Sequence, residues 1–192
     1  MFALLERTVN CKIFVPGFAI LVCLVVALGC PASQDPKPAN QAAPGIEVYF
    51  SPQGGCTEAV VRALDGAKQS VYVQAYGFTS APIAKALVDA HKRGVQVKVI
   101  LDKSQRTEKY SSADFVAHAG IPVQIDAKHA IAHNKVMVID EETVITGSFN
   151  FTKAAEESNA ENLLVIHSKE LVAKYLENWK KHSEHSEAYE GR

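Results

Sequence analysis

Short apolar stretches alternate along the chain with segments in which apolar residues recur every three or four positions. Between residues 46 and 126 this pattern predicts four strands and three helices. The strands are expected at 46–50, 70–78, 95–102 and 121–126, and the helices at 57–68, at 81–94 and in a short segment that ends at His118. Pro82 in the first turn of the second helix and Gly94 just past its end support these bounds.

The second half of the chain predicts a β-hairpin, a short helix near Lys153, a strand at 161–168 and a final helix from Lys169. Residues 136–139 form an unbroken hydrophobic run, which suits a strand covered on both faces. We therefore expect an α/β fold, in which a mixed β-sheet is flanked by helices on both faces. The final helix carries one apolar side, formed by Leu171, Val172, Tyr175, Leu176 and Trp179.

The first 30 residues predict a hydrophobic targeting segment. Arg7 and Lys12 precede an apolar run at 13–30, as in a signal peptide or an uncleaved membrane anchor. The run ends in ALGC, which resembles the lipobox of bacterial lipoproteins, so Cys30 is a candidate for lipidation; a plain signal-anchor helix with a chance cysteine is the alternative. Either interpretation predicts an exported protein, periplasmic or otherwise extracytoplasmic, that is membrane-anchored or secreted.

Two further segments differ in composition from a packed domain. Residues 31–45 contain four of the eight prolines and no large apolar residue, which predicts a linker. The folded domain is expected at 46–185 and a flexible tail at 186–192. His182 and His185 raise the question of a metal site, but a solvated, fraying helix end is the favoured interpretation.

The overall composition is that of one globular domain with terminal extensions. The chain has 192 residues, of which 47% are hydrophobic and 21% charged, and this excludes extensive disorder. Cys56 is the single cysteine after residue 30, so the domain contains no intramolecular disulfide. Burial is the expected state of this thiol, and pairing between chains is the alternative.

The candidate chemistry lies at one end of the predicted hairpin. His133 and Lys135 project from the same face of a strand, because side chains alternate. If 133–140 pairs with 143–150 around a tight turn at Glu141 and Glu142, Lys135 lies opposite Ser148 and His133 lies opposite Asn150.

These four side chains suit an anionic tetrahedral group such as a phosphodiester. Lys135 supplies positive charge, and Ser148 and Asn150 supply directional donors. A neutral imidazole at His133 can attack phosphorus as a nucleophile.

A carboxylate is also needed to orient the attacking imidazole. Asp140 lies more than about 20 Å along the strand from His133, at about 3.3 Å per residue, so we expect Asp140 to be structural and Glu161 to orient the histidine. His129 invites a metal site shared with His133, but no thiolate or second carboxylate is spaced to complete it, so no metal is expected.

The motif around the hairpin resembles that of the phospholipase D superfamily. His133, Lys135 and Asp140 form the pattern H-x-K-x4-D, and GSFN follows at 147–150. The resemblance extends over most of 46–181, and is strongest to the small bacterial endonucleases that carry a single HKD motif. It includes FSP at 50–52, AYGFTS at 75–80, the helix that ends in KRGV and the strand into Asp102.

The resemblance implies an α-β-α sandwich and a particular mechanism. In such enzymes two motifs make one active site, so a chain with one motif is expected to form a homodimer in which each His133 takes one role. A phosphohistidine intermediate is implied, with no cofactor. By position, Lys135, Ser148 and Asn150 match the phosphate-binding residues and Glu161 matches the carboxylate that orients histidine.

The substrate class is less determined than the chemistry. A formal net charge of −1 is modest for a protein that binds a polyanion, although a local basic patch would compensate. The expected function is a metal-independent, non-specific endonuclease acting on DNA or RNA. The alternatives are a phospholipase D-type phospholipid hydrolase and a non-catalytic, membrane-tethered dimer that binds nucleic acid. Candidates for the patch are Lys103, Arg106, Lys109, Lys128 and Lys153.

Overall fold

The computed structural model describes residues 40–192. The expected targeting segment, with Cys30, and the linker up to residue 39 lie outside the described residues. The strands are β1 (Gln41–Ala43), β2 (Ile46–Ser51), β3 (Ser70–Ala75), β4 (Gln96–Asp102), β5 (Val123–Asp126), β6 (Lys135–Ile139), β7 (Thr143–Gly147), β8 (Glu161–His167) and β9 (Glu187–Tyr189). The helices are α1 (Cys56–Gly66), α2 (Ala81–Lys92), α3 (Ala113–His118), α4 (Lys153–Glu157) and α5 (Lys169–Ser183), with a 3-10 turn at Lys103–Arg106. Within residues 40–192, none of these helices has the length and apolar character needed to cross a membrane.

All nine strands of the described region form one mixed sheet in the order β1-β2-β8-β7-β6-β3-β4-β5-β9. β3, β4 and β5 are parallel, because α2 and α3 carry the chain back between them, and the other neighbours are antiparallel. β6 is antiparallel to β3, and Lys135 pairs with Ala75. The carboxyl ends of three parallel strands therefore lie beside the start of β6, at an edge of the sheet that is formed by strand ends and not by an outer strand.

Helices cover both faces of the sheet, as the hydrophobic run at 136–139 predicts. Met137 and Ile139 of β6 belong to the large core, which also contains buried residues of α1, α2 and α3. Val136 and Val138 point the other way and pack with Val172 of α5. Because successive side chains of a strand face opposite sides, β6 is buried on both. The predicted mixed sheet with flanking helices is confirmed.

Both ends of the domain extend further than the sequence pattern indicates. Gln41–Ala43, inside the expected linker, pair with β2, and Glu187–Tyr189, inside the expected flexible tail, pair with β5. Tyr189 is only 9% exposed, so the expectation of a flexible tail was wrong at these residues. A three-residue strand is too short to show a period in the sequence. β1 and β9 each pair with a strand that would otherwise be the outer strand of the sheet.

The hairpin turn lies one residue earlier than predicted. Asp140 and Glu141 occupy its centre with φ of 53° and 56°, and the Glu142 N–H donates to the Ile139 carbonyl oxygen at 3.0 Å. Two positive φ values define a type I′ turn, which matches the twist of a hairpin. The register is accordingly Val136 opposite Thr146, and the predicted register was wrong by one residue.

A long-range contact decides the position of this turn. The Asp140 carboxylate accepts hydrogen bonds from the backbone N–H groups of Lys68, Gln69 and Ser70 at 2.8, 2.7 and 2.9 Å. Aspartate tolerates the left-handed conformation better than most residues, and these three bonds stabilise it there. Asp140 thus joins the hairpin to the start of β3 and is structural.

We expect Asp140→Asn to lower the free energy of unfolding by about 1–2 kcal/mol at neutral pH, since an amide accepts fewer and weaker bonds than a carboxylate. Burial raises the pKa of Asp140, but the three N–H donors lower it by more, and the net pKa lies below the ordinary value. The wild-type advantage should be complete above the unfolded pKa of about 4 and should shrink as the pH falls through the folded pKa.

Urea unfolding of both proteins at pH 7 and at about pH 3 measures this difference. Asp65→Asn, at an exposed position of α1, is the matched control and should leave stability nearly unchanged. A stability gap between wild type and Asp140→Asn that is as large at the acidic pH as at pH 7 would contradict the assigned contact.

Candidate active site

His133 and Lys135 lie together at the sheet edge where β6 begins. His133 is exposed in the loop before β6, and Lys135, the first residue of the strand, is 6% exposed. Lys135 Nζ lies 3.0 Å from His133 Nδ1 and also donates to the His133 carbonyl oxygen at 2.8 Å. An ammonium group only donates, so Nδ1 accepts in this contact and a neutral imidazole carries its proton on Nε2.

The surroundings of Lys135 oppose its charge more than they support it. Burial lowers the pKa of Lys135, and the negative charge of Glu161 offsets part of that effect. The Tyr76 ring also faces the ammonium, with Nζ 5.1 Å from the ring centroid. An incoming phosphate would therefore meet a cation that has few competing partners.

Tyr76 is a component of this site that the sequence interpretation missed. Its ring centroid lies 4.5 Å from that of His133, with the planes inclined at 49°. Its backbone N–H donates to the Asn134 carbonyl oxygen at 2.9 Å, which continues the pairing of β3 with the chain before β6. The sequence feature that could have indicated Tyr76 is the aromatic residue in AYGFTS, directly after an apolar strand.

Two buried carboxylates hold the loop that carries His133. Asp102, at the end of β4, accepts from the Ala132 N–H at 2.7 Å. Asp126, at the end of the neighbouring strand β5, accepts from the N–H groups of Lys128 and His129 at 3.1 and 3.3 Å. The imidazole is thus open to solvent while the backbone beside it is fixed by charge-assisted hydrogen bonds.

Ser148 reaches the same sheet edge through an irregularity after β7. The backbone N–H groups of Ser148 and Phe149 both donate to the Asn162 carbonyl oxygen, at 3.1 and 3.2 Å. Two residues facing one is the pattern of a β-bulge, and it interrupts strict alternation of side chains. The predicted pairing of Lys135 with Ser148 across a regular ladder was therefore wrong, although both residues lie at this edge. Ser148 Oγ accepts from the Asn162 backbone and side chain, so its own proton can be donated outward.

Gly147 permits this bulge. A Cβ atom at Gly147 would lie 2.2 Å from the Asn162 carbonyl oxygen, and the residue has φ of 157°. No other residue type fits so close to the neighbouring backbone.

Asn150 lies against the segment that follows β3, and not opposite His133 in a ladder. A Cβ built at Gly77 would be 3.3 Å from both Cβ and Oδ1 of Asn150. Gly77 follows Tyr76, so one short segment lies against both Asn150 and His133. Asn150 Oδ1 is buried and has no hydrogen-bond donor among the described residues, and the amide carries a donor group, Nδ2, that a substrate oxygen could accept from.

We expect Gly77→Ala to reduce turnover about tenfold or more while the protein remains folded. The new Cβ would lie 2.9 Å from Thr152 Cγ2 and 3.3 Å from Asn150 Oδ1, so it pushes the amide from its position. Gly66→Ala is the control, because a Cβ there meets nothing within 4 Å. Steady-state kinetics measure turnover, and circular dichroism measures folding. Unchanged turnover in Gly77→Ala would contradict the assignment of Asn150 to the site.

Glu161 does not contact His133 in the described structure. Its Oε1 accepts from Asn159 Nδ2 at 3.1 Å, and its backbone N–H donates to Ser51 Oγ at 3.1 Å. Lys135, not Glu161, is hydrogen-bonded to Nδ1 of the imidazole. The structure therefore places Glu161 close enough to influence the charge of Lys135 but leaves its predicted contact with the histidine unformed.

Cys56 is the first residue of α1 and is fully buried. Desolvation by burial, with smaller contributions from Glu156 and Glu58, raises the pKa of its thiol to about 11. A thiol in this state is unreactive near neutral pH, and burial also argues against pairing between chains.

The predicted basic patch is partly neutralised. Arg106 pairs with Glu187 at 2.5 Å, and Lys153 pairs with Glu157 at 3.6 Å. Lys103 donates to the His129 carbonyl oxygen at 3.1 Å, so its charge lies beside the loop that leads to His133. Lys109 and Lys128 form none of the ion pairs found in the described region. Three of the five cations, Lys103, Lys109 and Lys128, thus have no carboxylate partner within the described region and are available to an anionic substrate.

The fold and site define a class of protein: α/β enzymes that act on phosphodiester bonds. Comparisons with known proteins agree. A family model described as the PLD-like domain of cardiolipin synthase matches residues 60–183. The chain belongs to the phospholipase D superfamily, whose members act on phosphodiester bonds.

Named relatives and a solved structure give the extent of the similarity. The chain is 46% identical over 134 residues to a phospholipase D of Rickettsia conorii, a match that covers 70% of this chain and 67% of that protein. It is 30% identical over 148 residues to mitochondrial cardiolipin hydrolase of Homo sapiens, covering 72% of this chain and 59% of that protein. The crystal structure of Nuc from Salmonella typhimurium, a phospholipase D family member, matches with a TM-score of 0.73 and 42% identity over 75% of this chain and 97% of that chain.

Proposed function

We propose that this protein is a homodimeric endonuclease that cleaves DNA, and RNA as a further substrate, without a catalytic metal. The observation that carries the proposal is that each chain provides one exposed imidazole with one buried lysine behind it. Phosphodiester hydrolysis by this route needs a nucleophile and a separate acid, so two chains must combine their sites.

The first step forms a phosphohistidine. The Lys135 ammonium moves from His133 Nδ1 to a phosphate oxygen and stabilises its charge, together with Ser148 Oγ and Asn150 Nδ2. The vacated Nδ1 takes a proton from water while Nε2 gives its proton to water, so the imidazole stays neutral, and Nε2 then attacks phosphorus with its lone pair. The bond from phosphorus to the leaving oxygen breaks, and the protonated His133 of the partner subunit donates its Nε2 proton to that oxygen.

The second step releases the product. The partner subunit's His133, now neutral, takes a proton from water, and the water oxygen attacks phosphorus. The phosphorus–nitrogen bond breaks and returns the electron pair to His133 Nε2, which restores the starting enzyme. Glu161 is the proposed hydrogen-bond acceptor for the Nδ1–H group once Lys135 has moved, since the charge of Glu161 already acts on that lysine.

The surface around His133 supports assembly of two chains. Ile131, two residues before His133, is 58% exposed, and Phe50, which pairs with Asn162 at the same sheet edge, is 64% exposed. Large exposed apolar residues beside a polar site favour burial against a partner. A two-fold axis through this edge would bring the two imidazoles together and cover both side chains.

A competing function, hydrolysis of phospholipids, is favoured by the names of the two relatives, phospholipase D and cardiolipin hydrolase. The same histidine chemistry serves a lipid phosphodiester. The apolar segment at 13–30 would hold the enzyme at a membrane in an exported location, where either substrate is accessible.

The deciding experiment gives one preparation of the full chain supercoiled plasmid DNA, single-stranded RNA and phosphatidylcholine vesicles, each with excess chelator. We expect nicking and then linearisation of the plasmid, and no release of choline. Choline release without DNA cleavage would establish the lipid function in its place. DNA binding without turnover of any substrate would indicate a non-catalytic binding protein.

A further inference from the structure

A second group of chemistry-bearing side chains lies where α5 ends, and none of them takes part in the proposed cleavage. It consists of Asp126, the last residue of β5; His129, three residues later; and His182 and His185, from the last turn of α5 and the residues after it. One ligand atom from each of the four lies within 4.8 Å of every other. We call this set the Asp126 cluster.

The histidines of the Asp126 cluster converge on one carboxylate oxygen. Asp126 Oδ2 lies 2.8 Å from His129 Nδ1, 2.7 Å from His182 Nδ1 and 3.3 Å from His185 Nε2. The Asp126 side chain is fully buried, and those of His182 and His185 are 16% and 20% exposed. The expectation of a solvated, fraying helix end was therefore wrong for these residues.

Hydrogen bonding alone leaves this arrangement crowded. Three imidazole nitrogens share one oxygen that has two lone pairs, while Oδ1 already accepts from two backbone N–H groups. The rings of His129 and His182 are also stacked at 4.8 Å with planes inclined at 28°. Three protonated imidazoles this close together would repel one another. The arrangement is better explained if the three nitrogens donate electron pairs to one shared cation.

The spacing suits a tetrahedral metal ion. Nitrogen and oxygen ligands about 2.0–2.1 Å from zinc lie about 3.3 Å from one another. The three distances from the histidine nitrogens to Oδ2, 2.7–3.3 Å, lie at or below this value, and all four ligand atoms lie within 4.8 Å of one another. A bound ion would lengthen the two shorter distances to Oδ2 and draw the nitrogens toward a common centre. The two backbone N–H groups on Oδ1 would orient the carboxylate, as outer hydrogen bonds do in metal sites.

We propose that Asp126, His129, His182 and His185 form a structural site for one divalent transition-metal ion of the zinc type. Four protein ligands close the coordination sphere, which is the arrangement of structural sites and leaves no position for substrate. None of the four takes part in the proposed cleavage, so this inference goes beyond that function and does not depend on it.

The site would tie the end of the chain to the catalytic loop. His182 and His185 belong to the segment that leads from α5 into β9, and His129 lies in the loop that ends at His133. Bound metal would fix both segments to β5, and should therefore stabilise the fold through ligand binding to the native state alone.

The test uses the full chain without a polyhistidine tag, solubilised in detergent and stripped of metal by a chelator that is then removed. Cobalt(II) is titrated first, because tetrahedral cobalt gives intense visible absorption, and zinc(II) is then added in competition. We expect one equivalent of cobalt to bind, zinc to displace it, and zinc to raise the melting temperature.

His185→Ala should weaken metal binding on the order of 100-fold and abolish the zinc-dependent rise in melting temperature. His129→Ala should do the same, and this residue is 44% exposed, so its loss is not expected to prevent folding. His91→Ala, on α2, is the matched control and should bind as the parent does. The cysteines of residues 1–30 and all other candidate ligands are identical in these proteins.

Two results would overturn the proposal. One is a parent protein that shows no tetrahedral cobalt absorption and no zinc-dependent change in melting temperature. The other is binding in His185→Ala and His129→Ala that equals binding in His91→Ala, which would place the metal elsewhere. Both readouts are independent of nuclease activity, so an inactive preparation can still decide the question.

Discussion

His133→Ala is expected to reduce turnover of the phosphodiester substrate by at least about 10³-fold, because within residues 40–192 no other imidazole is hydrogen-bonded to Lys135 and could form the proposed covalent intermediate. The side chain is exposed, so stability should change little. Single-turnover kinetics and thermal melting measure the two effects. His167→Ala, at a half-exposed position distant in sequence from the motif, is the control and should retain full activity. Near-normal turnover by His133→Ala would contradict the proposal that His133 is the nucleophile.

The same variant tests the shared active site. When parent and His133→Ala chains are mixed in equal amounts and allowed to exchange, about one quarter of the dimers contain two intact histidines. If each dimer needs both imidazoles, the activity of the mixture falls to about half of what the same amount of parent gives alone. Activity that is unchanged by the added variant would mean that each subunit works by itself.

Lys135→Met is expected to lower kcat/KM on the order of 10²–10³-fold, since it removes the charge that stabilises the phosphate oxygens as phosphorus is attacked. Methionine fills similar volume without a buried charge. Because burial already lowers the pKa of Lys135, we expect the variant to be as stable as the parent or slightly more stable.

Kinetics and urea unfolding of the same preparations separate these two effects. Lys153→Met, on the exposed surface of α4, is the charge-matched control and should change kcat/KM by less than about threefold. The pH profile of the parent adds a signature, because a lowered lysine pKa moves the alkaline loss of activity below the pH at which ordinary lysines titrate. A folded Lys135→Met variant with kcat/KM within about threefold of the parent would contradict the catalytic role.

The proposed active site and the Asp126 cluster both lie at the edge of the sheet where β3, β4 and β5 end. The active site uses β6 and the chain after β7, while the Asp126 cluster uses the end of β5 and the end of α5. The loop from 127 to 134 belongs to both, and Asp102 fixes it between them through the Ala132 N–H. Metal that bound to the cluster would therefore support the backbone of the catalytic histidine without touching substrate.

Local pattern sufficed for most of the fold. The elements with a clear period or a long apolar run were predicted within a few residues, as for α2, where Pro82 and Gly94 mark the two ends. β1 and β9 were missed because three residues cannot show a period and their pairing depends on strands distant in sequence. The turn at Asp140 was displaced because the bonds that fix it come from residues 68–70.

The sequence by itself determined which groups are candidates for the chemistry, because the types and spacing of His133 and Lys135, followed by Ser148 and Asn150, are local properties of one hairpin and its continuation. Only the tertiary structure decided how these groups meet. The bulge at Gly147 and the packing of Asn150 on Gly77 come from close backbone contacts between separate strands, which no strand period records. The same reason applies to the Asp126 cluster, whose ligands lie up to 59 residues apart and come together only when α5 folds back onto β5.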